Sequence, residues 1–309
     1  MKVIPLGTSS LACSRLAYGC WRIAGSWDPS EVTAASKANG RQAVLAAFEA
    51  GYTLFDLADI YCGGEAETLF GQVLKEVPGL RRGALIASKC GIRKAGEPKP
   101  GSPYRYDFSA DHIIHSCEQS LQRLGIETLD LYQLHRPDYL MHPEEVAGAF
   151  SQLKQAGKVR EFGVSNFRPS QLAALQRACP MRLEVNQVEI SLANLSCFED
   201  GTLDHCLAEK LTPMAWSPVA GGLLADGARR ILTSQQAYRP QSVTAALDAV
   251  ARARGTSRLV VALAWLLKHP AGIVPIVGSA RPEKIGEAAR AVQVDLSREE
   301  WYRLFQAAR

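Results

Sequence analysis

Residues 53–89 read TLFDLADIYCGGEAETLFGQVLKEVPGLRRGALIASK, and this stretch decides the fold. Thr53–Asp56 is a short apolar run closed by a carboxylate, and Leu85–Lys89 is a second one closed by an ammonium. Between them, Glu65–Lys75 carries its apolar residues at helical spacing. Two short runs joined by an amphipathic helix read as parallel strands with a crossover, because antiparallel neighbours need only a tight turn.

The same unit recurs in both directions along the chain. Further strands are expected at Leu16–Gly19, Leu129–Leu134, Glu161–Ser165, Leu183–Gln187, Pro213–Ser217 and Ile273–Val277. Helices are expected at Gly40–Ala50, Ala110–Leu124, Pro143–Ala156, Pro169–Ala178, Leu203–Glu209, Ser257–Leu267 and Pro282–Ala289. About eight such units close a barrel, so the expected class is α/β, a (β/α)8 TIM barrel. Punctuation agrees with periodicity: Ser109 suits an N-cap, Pro143, Pro169 and Pro282 suit first turns, and Gly51, Gly125 and Gly157 follow helix ends. Val3–Gly7 and Leu11–Cys13 read as an N-terminal β-hairpin capping the barrel's bottom.

Three stretches exceed the minimal pattern: Cys90–Phe108, Ser217–Gln241 and the C-terminal helix Ser297–Ala308. The first, rich in Gly and Pro, is expected to lack regular structure and form a flap; a further helix is expected at Val243–Arg254. With 309 residues and 47% hydrophobic content, residues 1–309 are expected to form a single barrel domain.

Composition narrows the function classes. The formal charge of +4 arises from 35 basic and 31 acidic residues scattered along the chain, with pairs such as Arg81-Arg82 and Arg229-Arg230 but no long run. Neither a nucleic-acid footprint nor a membrane surface is therefore expected, while a small anionic ligand is compatible. The eight cysteines show no C-x-x-C pair and no zinc spacing, and no metal is expected. No apolar stretch before Pro5 and Gly7 could serve as a signal-peptide core, and Leu259–Leu267 is too short for a membrane span, so the cytoplasm is the expected address. Oligomeric state leaves no trace in the sequence.

In such barrels the chemistry sits at the C-terminal ends of the strands. Asp56 ends the second predicted strand, Tyr61 follows it, Lys89 ends the third and His135 follows the fourth. Each alone reads as a packed loop residue or a solvated charge. The sequence resembles the aldo-keto reductase family along nearly its whole length, on Asp56 through Tyr61, Ser88-Lys89, Leu134-His135, Gly163-Val-Ser-Asn166, Val185-Asn-Gln187, Trp216-Ser-Pro218 and Ile276-Val-Gly-Ser279. The order of these motifs, each at a strand end, carries the resemblance.

The resemblance implies reduction of an aldehyde or ketone with NADPH, with Asp56, Tyr61, Lys89 and His135 as the catalytic set. Tyr61 would donate the proton, Lys89 would lower its pKa, Asp56 would hold Lys89 charged, and neutral His135 would orient the carbonyl. Members that reduce enones carry glutamate in place of this histidine, so His135 points to carbonyl reduction. No G-x-G-x-x-G follows a strand, which argues against a Rossmann cofactor site. Instead the resemblance puts the nicotinamide carboxamide on Ser165, Asn166 and Gln187, and the ring on Trp216, where the family more often has tyrosine. Ser217 and Leu223 belong to the same implied site, with Gly221–Leu224 along the pyrophosphate. Gly278, Ser279 and Lys284 would take the 2′-phosphate and Glu287 the adenine, although Ala288 stands where many members have asparagine.

Trp21, Trp27 and Tyr104 are expected to line a substrate pocket, and the flap cations Arg93, Lys94 and Arg105 could attract an anion. His112, His115, His142, His205 and His269 have no ligand set, and neither Asp59 nor Asp138 has assigned chemistry. Two rival functions share the barrel. One is an NADPH-binding redox-sensing regulatory subunit with little turnover; the other is a phosphosugar barrel using Lys89 as a Schiff-base amine. Neither accounts for Asn166, Gln187 and Trp216 together.

Overall fold

Parallel pairing runs continuously around a closed barrel in the computed structural model, which describes residues 1–227, 238 and 241–309. We number its strands β1 (Ala17–Gly19), β2 (Leu54–Asp56), β3 (Leu85–Cys90), β4 (Leu129–Leu134), β5 (Val159–Ser165), β6 (Leu183–Glu189), β7 (Thr212–Trp216) and β8 (Val274–Val277). Each pairs in parallel with the next, and β8 closes on β1 through Ile276 opposite Ala17. Every residue of β4 is buried, as a strand covered by side chains inside and helices outside requires.

The crossover helices match the expected ones closely. Ala110–Leu124, Pro169–Ala178 and Pro282–Ala289 have the expected bounds, and Gly51, Gly125 and Gly157 adopt the left-handed conformation after helix ends. The first helix differs: it starts at Ala34, capped by Thr33, so Gly40 lies inside it rather than at its start. A Cβ at residue 40 would stand 2.0 Å from the carbonyl oxygen of Ile23, so close packing selects this glycine. Ser109 occupies its expected N-cap position but does not cap with its side chain; its Oγ donates to Asp107 Oδ1 at 2.7 Å.

The hairpin of Val3–Pro5 and Ala12–Ser14 plugs the N-terminal end of the barrel, where Leu6 and Leu11 pack against interior residues such as Leu54, Leu131 and Met214. At the other side, helices Gln241–Ala253 and Arg298–Ala308 cover Arg258–Leu267 and bury a second cluster. Trp265 and Trp301 stack there at 4.9 Å, each indole N–H donating to the other's carbonyl. The flap expected to lack regular structure contains a short antiparallel pairing of Ile92–Arg93 with Arg105–Tyr106. The Ser217–Gln241 stretch is described to Gly227, at Tyr238 and from Gln241; its remainder, including Arg229-Arg230, lies outside the described residues.

Candidate active site

Strands β2 and β3 end side by side, with Asp56 paired opposite Ala87 two residues before Lys89, and this brings a carboxylate and an ammonium together inside the barrel mouth. Lys89 is fully buried and Asp56 is 3% exposed. The Lys89 ammonium donates to Asp56 Oδ2 at 2.8 Å, to the Leu57 carbonyl at 2.7 Å and to Tyr61 Oη at 3.1 Å. An ammonium has three hydrogens and accepts none, so these partners use it completely. The hydrogen on Tyr61 Oη is thereby left free to point away from Lys89. Asp56 Oδ1 accepts from the Gln187 amide at 2.8 Å, so both carboxylate oxygens are engaged.

Tyr61 reaches this position from the turn after β2, where the backbone of Cys62 is left-handed. Burial raises the Tyr61 pKa, Lys89 opposes that rise, and the net shift is upward. The expectation of a lowered value is corrected here: desolvation outweighs the ammonium, which keeps the phenol protonated. Burial also disfavours the charged form of Lys89, but Asp56 and Tyr61 outweigh it and its pKa is raised. His135 is pushed well below the usual histidine range by burial, then by Lys89 and Arg136, so its imidazole is neutral. Its ring lies 5.9 Å from that of Tyr61, and its buried Nδ1 has no partner among the described residues.

A second hydrogen-bonded chain lies beyond His135, at the ends of β5, β6 and β7. Asn166, in a left-handed conformation after β5, donates through Nδ2 to Ser165 Oγ at 2.8 Å and to the His135 carbonyl at 3.2 Å. Its Oδ1 accepts from Trp216 Nε1 at 3.0 Å, which fixes the plane of that ring. Ser165 Oγ donates to the Gln187 carbonyl at 2.8 Å. Ser217, also left-handed, turns the chain away from β7 into the turn Ala220–Gly222 and on to Leu223.

Ser279, Lys284 and Glu287 gather at the start of the Pro282–Ala289 helix, whose N-cap has no side-chain hydrogen bond. Gly278 precedes them, and a Cβ there would stand 2.7 Å from Trp21 Nε1. Lys284 donates to Glu287 Oε2 at 2.8 Å and lies 3.7 Å from Asp226 Oδ2, which also pairs with Arg281. Trp21 and Trp27 pack at 5.4 Å, and Trp27 meets Tyr61 edge-on at 6.1 Å, so both tryptophans wall the mouth. Tyr104 is 55% exposed and touches Tyr106 on the flap.

Some features escaped the sequence reading. The Leu57 carbonyl is backbone and leaves no signal. Asp226 carried none because a loop carboxylate reads as solvated. Buried Glu67 takes Ser88 Oγ at 2.5 Å and Arg123 Nε at 2.7 Å, holding the back of β3 against its helices. Asp138, left without a role, accepts from the backbone N–H of Phe108 and of Leu140. The flap cations Arg93 and Arg105 both face Asp107, at 3.0 and 4.0 Å, so they are not free charges.

A phenol with a free hydrogen, backed by a buried ammonium and facing a neutral imidazole, can deliver a proton to an oxygen that gains charge. Similarity to known proteins gives the family. The model of the Aldo/keto reductase family matches residues 15–309. The chain is 43% identical over 310 residues to a 6-dehydroglucose reductase of Novosphingobium aromaticivorans, covering 98% of this chain and 94% of the relative. It is 39% identical over 302 residues to a 6-dehydroglucose reductase of Agrobacterium fabrum, covering 97% and 96%. The solved glycerol dehydrogenase of Gluconobacter oxydans superposes with a TM-score of 0.86 at 26% identity, covering 99% of this chain and 94% of that one. The chain belongs to the aldo-keto reductase family, and so to the oxidoreductases that act on small carbonyl compounds with a nicotinamide cofactor. No helix among the described residues is long and apolar enough to cross a membrane.

Proposed function

We propose that this protein reduces an aldehyde or ketone to an alcohol with NADPH, and that Tyr61 donates the proton. One observation carries the reading: Lys89 spends all its hydrogens on Asp56, Leu57 and Tyr61, so the only unspent hydrogen of this buried group is on the Tyr61 hydroxyl. As negative charge grows on the carbonyl oxygen, Tyr61 passes that hydrogen to it. The phenolate left behind is stabilised by the ammonium already bonded to its oxygen. Asp56, held by Gln187, keeps Lys89 charged in a site that would otherwise favour neutral amine. Neutral His135 orients the carbonyl without competing as an acid.

The residues present fit the cofactor at both ends. Trp216 offers a flat ring whose orientation Asn166 sets, beside Ser165 and Gln187. An uncapped helix start with Ser279 Oγ, Arg281 and Lys284 suits a phosphate, Glu287 would face the adenine, and Gly278, Ser217 and Leu223 would border the chain between the ends. When bound, NADPH supplies the hydride. All eight cysteines are buried thiols, which supports a reducing compartment, the cytoplasm. Two relatives are named 6-dehydroglucose reductases, which supports a sugar-derived carbonyl as substrate. The test is NADPH consumption against aromatic, aliphatic and sugar-derived carbonyls. Turnover that requires NADPH is expected; tight NADPH binding without turnover of any of them would overturn the reading.

A further inference from the structure

Resting on the carbonyl-reductase reading, we propose that Arg136 selects the substrate, by pairing with a carboxylate or phosphate group that the carbonyl compound carries.

Arg136 follows His135 at the end of β4, and its guanidinium lies over the Trp216 ring, 5.3 Å from the centroid, at the end of β7. Strands β5 and β6 separate those two in the barrel order, so this side chain crosses the rim of the mouth rather than pointing out along its own helix. It is partly buried. The charge reaches both sides of the opening: it bears on the neutral His135 ring and on the Tyr104 phenol of the flap.

No carboxylate among the described residues pairs with Arg136, and residues 228–237, 239 and 240 contain neither Asp nor Glu. The nearest acid in sequence, Asp138, gives both oxygens to backbone N–H groups. The other cations near the mouth are placed differently, with Arg22 over the Trp21 ring at 4.3 Å from its centroid. Arg93 and Arg105 share Asp107, and Lys89 is sealed inside the barrel. Lys94 lines a separate cavity of about 310 Å³ with His112 and Arg123.

A guanidinium placed over an indole leaves N–H groups available on its other side and is partly desolvated, which strengthens its pairing with an anion. The arrangement sets Trp21, covered by Arg22, and Trp27 beside Tyr61 on one side of the mouth, and Arg136 beside His135 on the other. A substrate with its carbonyl at Tyr61 and an anionic group a few bonds away satisfies both sides.

The experiment measures kcat/KM with NADPH for two matched pairs: succinic semialdehyde against butyraldehyde, and glyceraldehyde 3-phosphate against glyceraldehyde. The wild-type enzyme is expected to favour the anionic member of at least one pair by tenfold or more, with the advantage shrinking as salt rises. Which pair shows it separates carboxylate from phosphate. Arg136→Met should reduce that ratio at least tenfold, mainly through KM, and Arg136→Lys should recover part of it. A ratio near one in wild type, or one unchanged in Arg136→Met despite brisk turnover, would overturn the inference while leaving the reductase reading intact. Absence of turnover for all the aldehydes would overturn both.

Discussion

Two lysines of this barrel show how surroundings decide what a charge does. Lys89 is fully buried, and its ammonium meets a carboxylate, a carbonyl and a phenol. Lys284 is partly exposed at a helix start and meets Glu287 and Asp226. Both have raised pKa values, Lys89 through Asp56 and Tyr61 against its burial, and Lys284 through its hydrogen bond to Glu287. The buried lysine cannot be removed without stranding Asp56. The exposed one can, because water solvates Glu287 and Asp226 in its place. On the proposed function, the chemical end of the site is built into the fold and the phosphate end is laid on its surface.

The largest effect expected from that difference is in Lys89→Met, which leaves the Asp56 carboxylate buried with only Gln187 as a partner. It should destabilise the protein by about 3–5 kcal/mol, the usual cost of breaking a buried pair from one side. Denaturant unfolding checks this, and a loss below about 1 kcal/mol would mean that the buried pair is not what holds the mouth together. Lys284→Ala should cost under about 0.5 kcal/mol in the same measurement. If Lys284 holds the 2′-phosphate as proposed, its effect belongs in NADPH affinity, a loss of about 1.5 kcal/mol with NADH nearly unchanged. Equal losses for the two nucleotides, read by titration, would make Lys284 a support for the helix instead.

A smaller effect sharpens the comparison on the back of the same loop. Asp59, between Asp56 and Tyr61, has a buried Oδ1 without a partner among the described residues, and burial, then Glu67, push its pKa up to about 8. An unfolded Asp titrates near ~4. Between those values the folded chain holds a proton that the unfolded chain releases, so this stability is complete below ~4 and is lost as pH rises through ~8. Asp59→Asn should therefore flatten the fall in Tm between pH 5 and pH 8, by roughly 6 °C. An unchanged slope would show that Asp59 is ionised in the folded protein.

The barrel was legible because its units repeat: eight strands with crossover helices leave only one closed arrangement. Boundaries were less so. Gly40 reads as a helix start by composition, yet contact with Ile23 places it in the interior of the first helix. The flap's short pairing of Ile92–Arg93 with Arg105–Tyr106 is too brief to show as alternation among its Gly and Pro residues. At the candidate site, residue types at strand ends were readable, but their balance of forces was not. Lys89 beside Tyr61 suggests a lowered phenol pKa, and only burial, a property of the folded state, reverses the sign. Arg136 carries no signal in the sequence, because only the fold brings Trp216, from a distant part of the chain, beneath it.

On the proposed function, the free hydrogen on Tyr61 is the proton delivered to the substrate. The most direct test is Tyr61→Phe, with single-turnover oxidation of bound NADPH by a carbonyl substrate and NADPH titration on the same preparation. Loss of the donor should slow the chemical step by about 10²–10⁴-fold, the range for general acid catalysis, while NADPH affinity stays about unchanged. A variant that binds NADPH normally and turns over within a few-fold of wild type would contradict the account.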